Sequence, residues 1–372
     1  MRKRLIAIGY VFVSSFLVLF SYTQVDLNLT LSRVSIFQRI EEAFQHVGYY
    51  QRPLATAIYC VILILLFTLY IGVIRAVRQK VFSRKALWRL IFAVAAIMVF
   101  SYPAAFSYDF FNYMFTAKTV LVYHQNPYVV TPLQFAGVDP WTNFMRWTHL
   151  TTAYAPLWIG MTLVPYVLGL GYFVFILFNI KFLVAGFYLL CGWAIVRSME
   201  VMDKPHVDTA LAVYALNPLI LIESLVSAHN DIVMMAFAML AVYAYVRKDR
   251  WTSYLFLSAS VAAKLMTGLL FPVFFLRKNR GWMAAVMMAG VAMVLVKREF
   301  LPWYWVWVVP FVALLPDRNR LIRFAGIVSF GLVLSYAPYL FFGDYSAAEQ
   351  IWKTAIIWSG VGLGAVSVLV AG

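Results

Sequence analysis

The chain has 372 residues, 64% of them hydrophobic and only 12% charged, with a mean hydropathy of +0.82. A single core cannot hide that much apolar surface, which excludes a soluble globular protein and points to a polytopic membrane protein. The formal charge of +15 sits in short clusters between hydrophobic runs, where basic residues set orientation, so no nucleic-acid partner is expected.

The elements follow in chain order. Arg2, Lys3 and Arg4 precede the apolar run Leu5 to Phe20. No small-x-small cleavage site follows, so this segment is expected to stay as a first helix with its N-terminus in the cytoplasm. A polar stretch of mixed charge, 23–52, leads to a second helix, Leu54 to Val73, which returns to the basic loop "RAVRQKVFSRK" at 75–85. A third helix, Ala86 to Phe106, then leads out to residues 107–153, rich in Tyr, Trp, Asn and Pro. That stretch is too long for a bare linker. Its aromatic content predicts an ordered extracytoplasmic loop with helices on the membrane surface. Residues 154–196 fit one, two or three crossings.

The helix Val233 to Val246 ends in "RKDR" (247–250), and "RKNR" (277–280) follows soon after. Both look cytoplasmic, and one crossing cannot put both inside. Two short helices with their apex at "AAKLMTG" (262–268) can, which lifts Lys264 to the outer face. The alternative is one long helix with a snorkelling lysine. Gly281 to Val296 runs out to Lys297, Arg298 and Glu299, and "PWYWVWVVPF" (302–311) starts the return to "DRNRLIR" (317–323). Ala325 to Phe342 goes out again and Ile351 to Gly372 comes back. The expectation is an all-α protein of the cell membrane with about eleven to thirteen transmembrane helices. Residues 1–372 form one domain, and 107–153 is its catalytic loop.

This topology collects chemistry on the extracytoplasmic face. The polar triplet of "LVSAHNDIVMM" (225–235), His229, Asn230 and Asp231, is costly in hydrocarbon unless it lines a cavity. It falls beside the 107–153 loop, Lys264, Arg298, Trp303 and Tyr304. Asp109 in "SYDFFNY" sits at the membrane boundary, where partial desolvation suits a general base; it could also cap a surface helix. Lys264 could neutralise a phosphate leaving group or merely set topology. His229 and Asp231 could bind sugar hydroxyls or hold a proton, and Asp231 could instead cap the helix that follows. Trp303 and Tyr304 could stack on a sugar or belong to the interfacial belt. Tyr108, Asn112, Tyr154 and Asn230 complete the expected sugar- or acceptor-binding set. No nucleotide loop, Ser/His/Asp arrangement or metal-ligand spacing is present, and Cys60 and Cys191 lie apart in apolar runs. No cofactor is therefore expected, although Asp109 and Asp231 could share a divalent ion. Energy must arrive in an activated, membrane-borne substrate.

"SYDFFNYMFTAKTVLVYHQNPY" (107–128), "AYAPLW" (153–158), "NPLILIESLVSAHND" (217–231), "AAKLMTGLLFPV" (262–273) and "FLPWYWVW" (300–307) occur in this order. The set resembles the polyprenol-phosphate-mannose-dependent mannosyltransferases of actinobacteria, in the GT-C superfamily and similar to glycosyltransferase family 87. The resemblance covers residues 100–310. It implies a polyprenyl-phosphate sugar as donor and an acidic base in the first large external loop, the position of Asp109. It also implies inverting transfer, and with a glycolipid or glycan as acceptor the charges of Lys264 and Arg298 are expected at the carrier phosphate. A transporter or flippase for a lipid-linked sugar, and a non-catalytic membrane subunit, are the rival readings.

Overall fold

The computed structural model describes residues 2–370; the side chain of Arg2, and Ala371 and Gly372 of the last expected segment, lie outside the described residues. The described chain contains helices and turns and no strands. The first half consists of α1 (Arg2–Ser21), α2 (Ser35–Gln45), α3 (Arg52–Arg78), α4 (Arg84–Met98), α5 (Asp109–Leu121), α6 (Pro156–Leu168), α7 (Phe173–Met202), α8 (Val207–Ala215) and α9 (Pro218–Leu221). The second half consists of α10 (Asp231–Val246), α11 (Arg250–Ala263), α12 (Leu270–Phe275), α13 (Arg280–Leu295), α14 (Val309–Ala313), α15 (Asn319–Leu334), α16 (Ala337–Phe342) and α17 (Ala347–Leu369).

This is an all-α polytopic membrane protein. Among the described residues five helices are long and apolar enough to cross a membrane, and a sixth if the pair 204–215 and 218–226, bent by 55°, is one span. Four shorter apolar helices, 156–168, 231–246, 265–275 and 280–295, accompany them. The expected eleven to thirteen transmembrane helices counted every apolar run, short ones included; here five or six are long enough to cross alone and four more are shorter. Several hydrophobic runs are broken into pieces too short to cross alone.

The third run shows why. Its helix stops at Met98 instead of reaching Phe106, because Pro103 cannot donate and disfavours helix in the residue before it. Residues 154–196 resolve into the hairpin of α6 and α7, joined at a turn where Gly171 takes φ +78°.

The break between α8 and α9 has the same origin. Pro218 lacks a donor, and the Asn217 side chain caps α9 by accepting from Leu219 N at 2.9 Å. The carbonyls orphaned at the end of α8 are satisfied from other helices. Tyr70 donates to Val213, Tyr188 to Ala215 and Tyr10 to Leu216.

After α9 the chain widens into a π-turn, Ile222–Val226, and Ala228 adopts φ +52°, strained for a residue with a Cβ. Lys181 of α7 is buried and locks this region. Its Nζ donates to the carbonyl and hydroxyl of Ser101, past the end of α4, and to the Val226 carbonyl. One side chain thus ties together the two irregular segments that lead into Asp109 and into His229.

α10 is apolar all round and almost wholly buried, enclosed by α7 and α11 rather than by lipid. The 107–153 loop differs from expectation. Its helix α5 does not lie on a surface, because Phe110 to Ala117 and Thr119 are all buried. Phe111 packs on Phe144 (ring centroids 4.9 Å) and Tyr113 on Trp158 (5.1 Å). In the later part of the loop Leu133 and Val138 are exposed, whereas Asp139, Phe144 and Met145 are buried.

Candidate functional site

Lys264 stands at a sharp break. α11 ends at Ala263, Lys264 is extended (φ −165°, ψ 132°), and a 3-10 turn, Leu265–Leu269, follows. The chain then doubles back. Tyr254 stacks on Phe271 at 6.2 Å, and the Tyr245 hydroxyl donates to the Lys278 carbonyl at 3.2 Å. "RKDR" and "RKNR" therefore share one end, and Lys264 sits at the apex of a hairpin, not within a single long helix.

Opposite it, Asp231 opens α10 and is fully buried. Its Oδ1 accepts from Lys264 Nζ at 2.7 Å and from the Trp307 indole. Its Oδ2 has no partner, and the side chain does not cap the helix. Asn230 Oδ1 lies 3.5 Å from the same ammonium.

Asp109 opens α5 with a quarter of its side chain exposed, and it too makes no capping bond. Burial pushes its carboxyl up to about 6. The Lys264 ammonium opposes that rise, the Asp231 charge adds to it, and a hydrogen bond from Trp147 opposes it.

His229 connects the carboxylates. Its Nδ1 lies 4.0 Å from Asp109 Oδ2 and its Nε2 lies 3.4 Å from Glu223 Oε2. The ring stacks on Trp303 at 4.3 Å. Burial pushes its pKa down to about 3, so the imidazole is neutral near neutral pH. Behind it, Glu223 is fully buried in the π-turn and accepts from the Tyr336 hydroxyl at 3.0 Å.

The structure therefore brings together Asp109, His229, Asn230, Asp231, Lys264 and Trp303. Tyr304 packs on Trp307 at 4.8 Å, and Tyr154 sits edge-on to Tyr113 at 4.7 Å. Arg298 is exposed and hydrogen-bonds Tyr304, which places it at the rim. Asn112, one turn beyond Asp109, is buried with its amide nitrogen unpartnered. Tyr108 points elsewhere: its hydroxyl donates to Asp26 at 3.2 Å and Arg146 covers its ring at 4.8 Å. Glu223, Trp307 and Tyr336 were not expected. Glu223 carried a usable signal, as a lone carboxylate in the apolar run 218–228. Among the described residues no three His, Cys, Asp or Glu side chains are grouped to hold a metal ion.

Two openings bear on access. An apolar groove of about 260 Å³ is lined by Ala155 and Pro156 of the α6 start, and by Ala262, Leu265 and Phe271 on either side of Lys264. A larger cavity of about 860 Å³, among Arg280, Arg318 and Arg320, shares no residue with this cluster.

Buried carboxylates, a neutral imidazole and one ammonium, walled by aromatic rings, are thus gathered at one place in a membrane protein. The chain belongs to the MptA_B family of alpha-(1->6)-mannopyranosyltransferases, whose N-terminal-domain model matches residues 11–280. It is thus a member of a mannosyltransferase family and, by class, a glycosyltransferase. No curated protein and no solved structure matches the chain significantly.

Proposed function

We propose that the protein transfers mannose from a polyprenyl-phosphate carrier to a glycolipid or glycan acceptor, at the extracytoplasmic face of the cell membrane. Residues 1–372 act as one domain, with 107–153 as the catalytic loop. One observation carries the reading: of the clustered carboxylates, Asp231 and Glu223 are fully buried, and only Asp109 is exposed enough for an acceptor hydroxyl to reach. Asp109 takes the hydroxyl proton as that oxygen attacks the anomeric carbon, and the carrier phosphate leaves with the bonding electron pair. A single displacement of this kind inverts the anomeric centre. Lys264, paired with Asp231 yet partly exposed, offers its free face to the leaving phosphate, and Arg298 can approach from the rim. The apolar groove beside Lys264 supports a lipid-borne donor, since it places hydrocarbon next to the ammonium. The leaving group is already activated, so the reading requires no cofactor.

Sugar transfer by purified protein in detergent, from defined polyprenyl-phosphate mannose, tests this. Wild type is expected to transfer and Asp109→Asn to lose 10²–10⁴-fold. Transfer from a nucleotide sugar alone, or more than about a tenth of wild-type activity in Asp109→Asn, overturns the reading.

A further inference from the structure

The cavity of about 860 Å³ lies apart from Asp109, at the end of the molecule that carries "RKNR" and "DRNRLIR". It opens because the helices around it pack on different neighbours, α13 on α12 and α14, and α15 chiefly on α17. The face that α13 turns to the gap is Gly281, Ala284, Ala285 and Met288, at i, i+3, i+4 and i+7. The first three are small and leave the space open. The opposite wall is Leu315 and Leu321, with Val368 from the last turn of α17.

The polar side of the cavity is cationic. Arg280, Arg318 and Arg320 line it, and Asp317 is the one carboxylate among the described residues that do. That carboxylate is shared at long range, with Arg280 Nη2 3.5 Å from Oδ1 and Arg318 Nε 3.6 Å from Oδ2. Arg280 also reaches Asp203 Oδ2 at 3.5 Å. Arg320 is exposed and has no ion-pair partner among the described residues. Three guanidinium groups thus stand against two carboxylates, Asp203 and Asp317, which leaves a surplus of one positive charge.

We propose that this cavity binds one anionic phospholipid of the surrounding membrane, its phosphodiester at the three arginines and its acyl chains along Met288, Leu315, Leu321 and Val368. A phosphodiester carries a single negative charge, which matches the surplus, and guanidinium forks pair well with phosphate oxygens. The volume falls within the roughly 300–1,000 Å³ of sites for whole small molecules, far more than a phosphate ion fills. A free ion would also leave the apolar walls wet, whereas a lipid covers them. Basic pockets between membrane helices take anionic headgroups on the same physical grounds. A lipid seated here joins α13, whose chain runs on to the turn Pro302–Trp307, to α15, whose chain runs on to Tyr336. It acts as a staple between the elements that supply Trp303, Trp307 and Tyr336, and its effect is on stability.

Thermal unfolding of the full chain in detergent, titrated with phosphatidylglycerol or with phosphatidylcholine of the same acyl chains, tests this. Phosphatidylglycerol is expected to raise Tm by roughly 2–4 °C. Phosphatidylcholine, whose choline returns a positive charge to the arginines, and inorganic phosphate should each leave it within about 1 °C. Native mass spectra should retain one phosphatidylglycerol per chain. Arg318→Gln combined with Arg320→Gln should weaken that binding by about tenfold or more. The Tm of this double variant without lipid should match wild type, since Arg320 is unpaired and the Arg318 side chain is 74% exposed. Ala285→Trp fills the hollow from an exposed position with all three arginines in place, and it should abolish the rise in Tm. Arg89→Gln, which removes an exposed cation outside the cavity, should leave the rise unchanged. No rise with phosphatidylglycerol, or an equal rise with phosphatidylcholine or phosphate, overturns the proposal. So does an undiminished rise in either cavity variant, or an equal loss in Arg89→Gln.

Discussion

Lys264 Nζ lies 2.7 Å from Asp231 Oδ1, so the ammonium of the cluster reaches its place already paired with a buried carboxylate. A phosphate arriving beside it would share that charge with Asp231, and Asp109 feels both members of the pair. The pair therefore couples leaving-group stabilisation to the basicity of the proposed base.

Lys264→Met tests that coupling. Lys264 holds the Asp109 carboxyl down, and its loss also leaves the Asp231 charge uncompensated, so the acid limb of kcat should move above about pH 6. Transfer should fall by about one to two orders of magnitude, as expected for a charge-assisted contact worth roughly 1.5–3 kcal/mol. Lys264→Arg should keep part of the activity, because charge persists with altered geometry. An unchanged pH profile and rate in the Met variant would remove Lys264 from the site.

Asp109 should make activity and stability respond to pH in opposite directions. Its carboxyl is raised to about 6 in the fold, so the folded chain binds a proton more tightly than the unfolded chain does. The contribution of this group to stability then grows as pH falls from about 6 toward the ordinary carboxylate range, while the ionised base disappears and kcat/KM declines. Asp109→Asn should show a Tm at pH 7.5 no lower than wild type despite its inactivity. A clear drop in Tm would assign Asp109 a structural role instead.

Lys181 should matter for folding rather than for substrate. Lys181→Met strands the Ser101 and Val226 carbonyls, and unmet buried groups of this kind cost on the order of 1–3 kcal/mol each. Thermal unfolding in detergent should shift down by several degrees, with loss of activity following loss of folded protein. An unchanged Tm would show that the clamp contributes nothing.

The proposed orientation is open to cysteine labelling in intact cells, in a background lacking Cys60 and Cys191. Val138→Cys, on an exposed part of the 107–153 loop, should react with an impermeant thiol reagent from outside. Arg318→Cys, whose native side chain is 74% exposed at the basic end, should react only after permeabilisation. The reverse pattern would invert the site to the cytoplasmic face.

Much of the architecture was legible because charge and hydropathy leave few choices. The break at Lys264 followed from two basic clusters too close for one crossing, and the hairpin through Tyr254 and Phe271 bears it out. The lengths of the helices did not follow, since the third apolar run, read as continuous to Phe106, breaks off at Met98 ahead of Pro103. α5 was placed on a surface because its aromatic residues suit an interface equally well. What buries them is a long-range contact, such as Tyr113 with Trp158, that no local pattern encodes. Glu223 stayed hidden for a different reason: its meaning depends on the imidazole six residues on, brought beneath it by a turn at an alanine. Tyr108 shows the converse, a neighbour in sequence whose hydroxyl belongs to Asp26.

The family match ends at residue 280, yet Trp303, Trp307 and Tyr336 come from the chain beyond it. Asp109, Glu223, His229, Asp231 and Lys264 all lie inside it. The proposed base Asp109 and the ammonium of Lys264 are thus encoded in one stretch, and the rim cation Arg298 with the aromatic rings in another. Substitutions at Trp303 or Tyr304, which hydrogen-bond none of the clustered carboxylates, could reshape which glycan lies against those rings while leaving Asp109 and Lys264 in place. Two relatives could then share one reaction and differ in what they build, and exchanging residues 300–340 between them would carry the preference across.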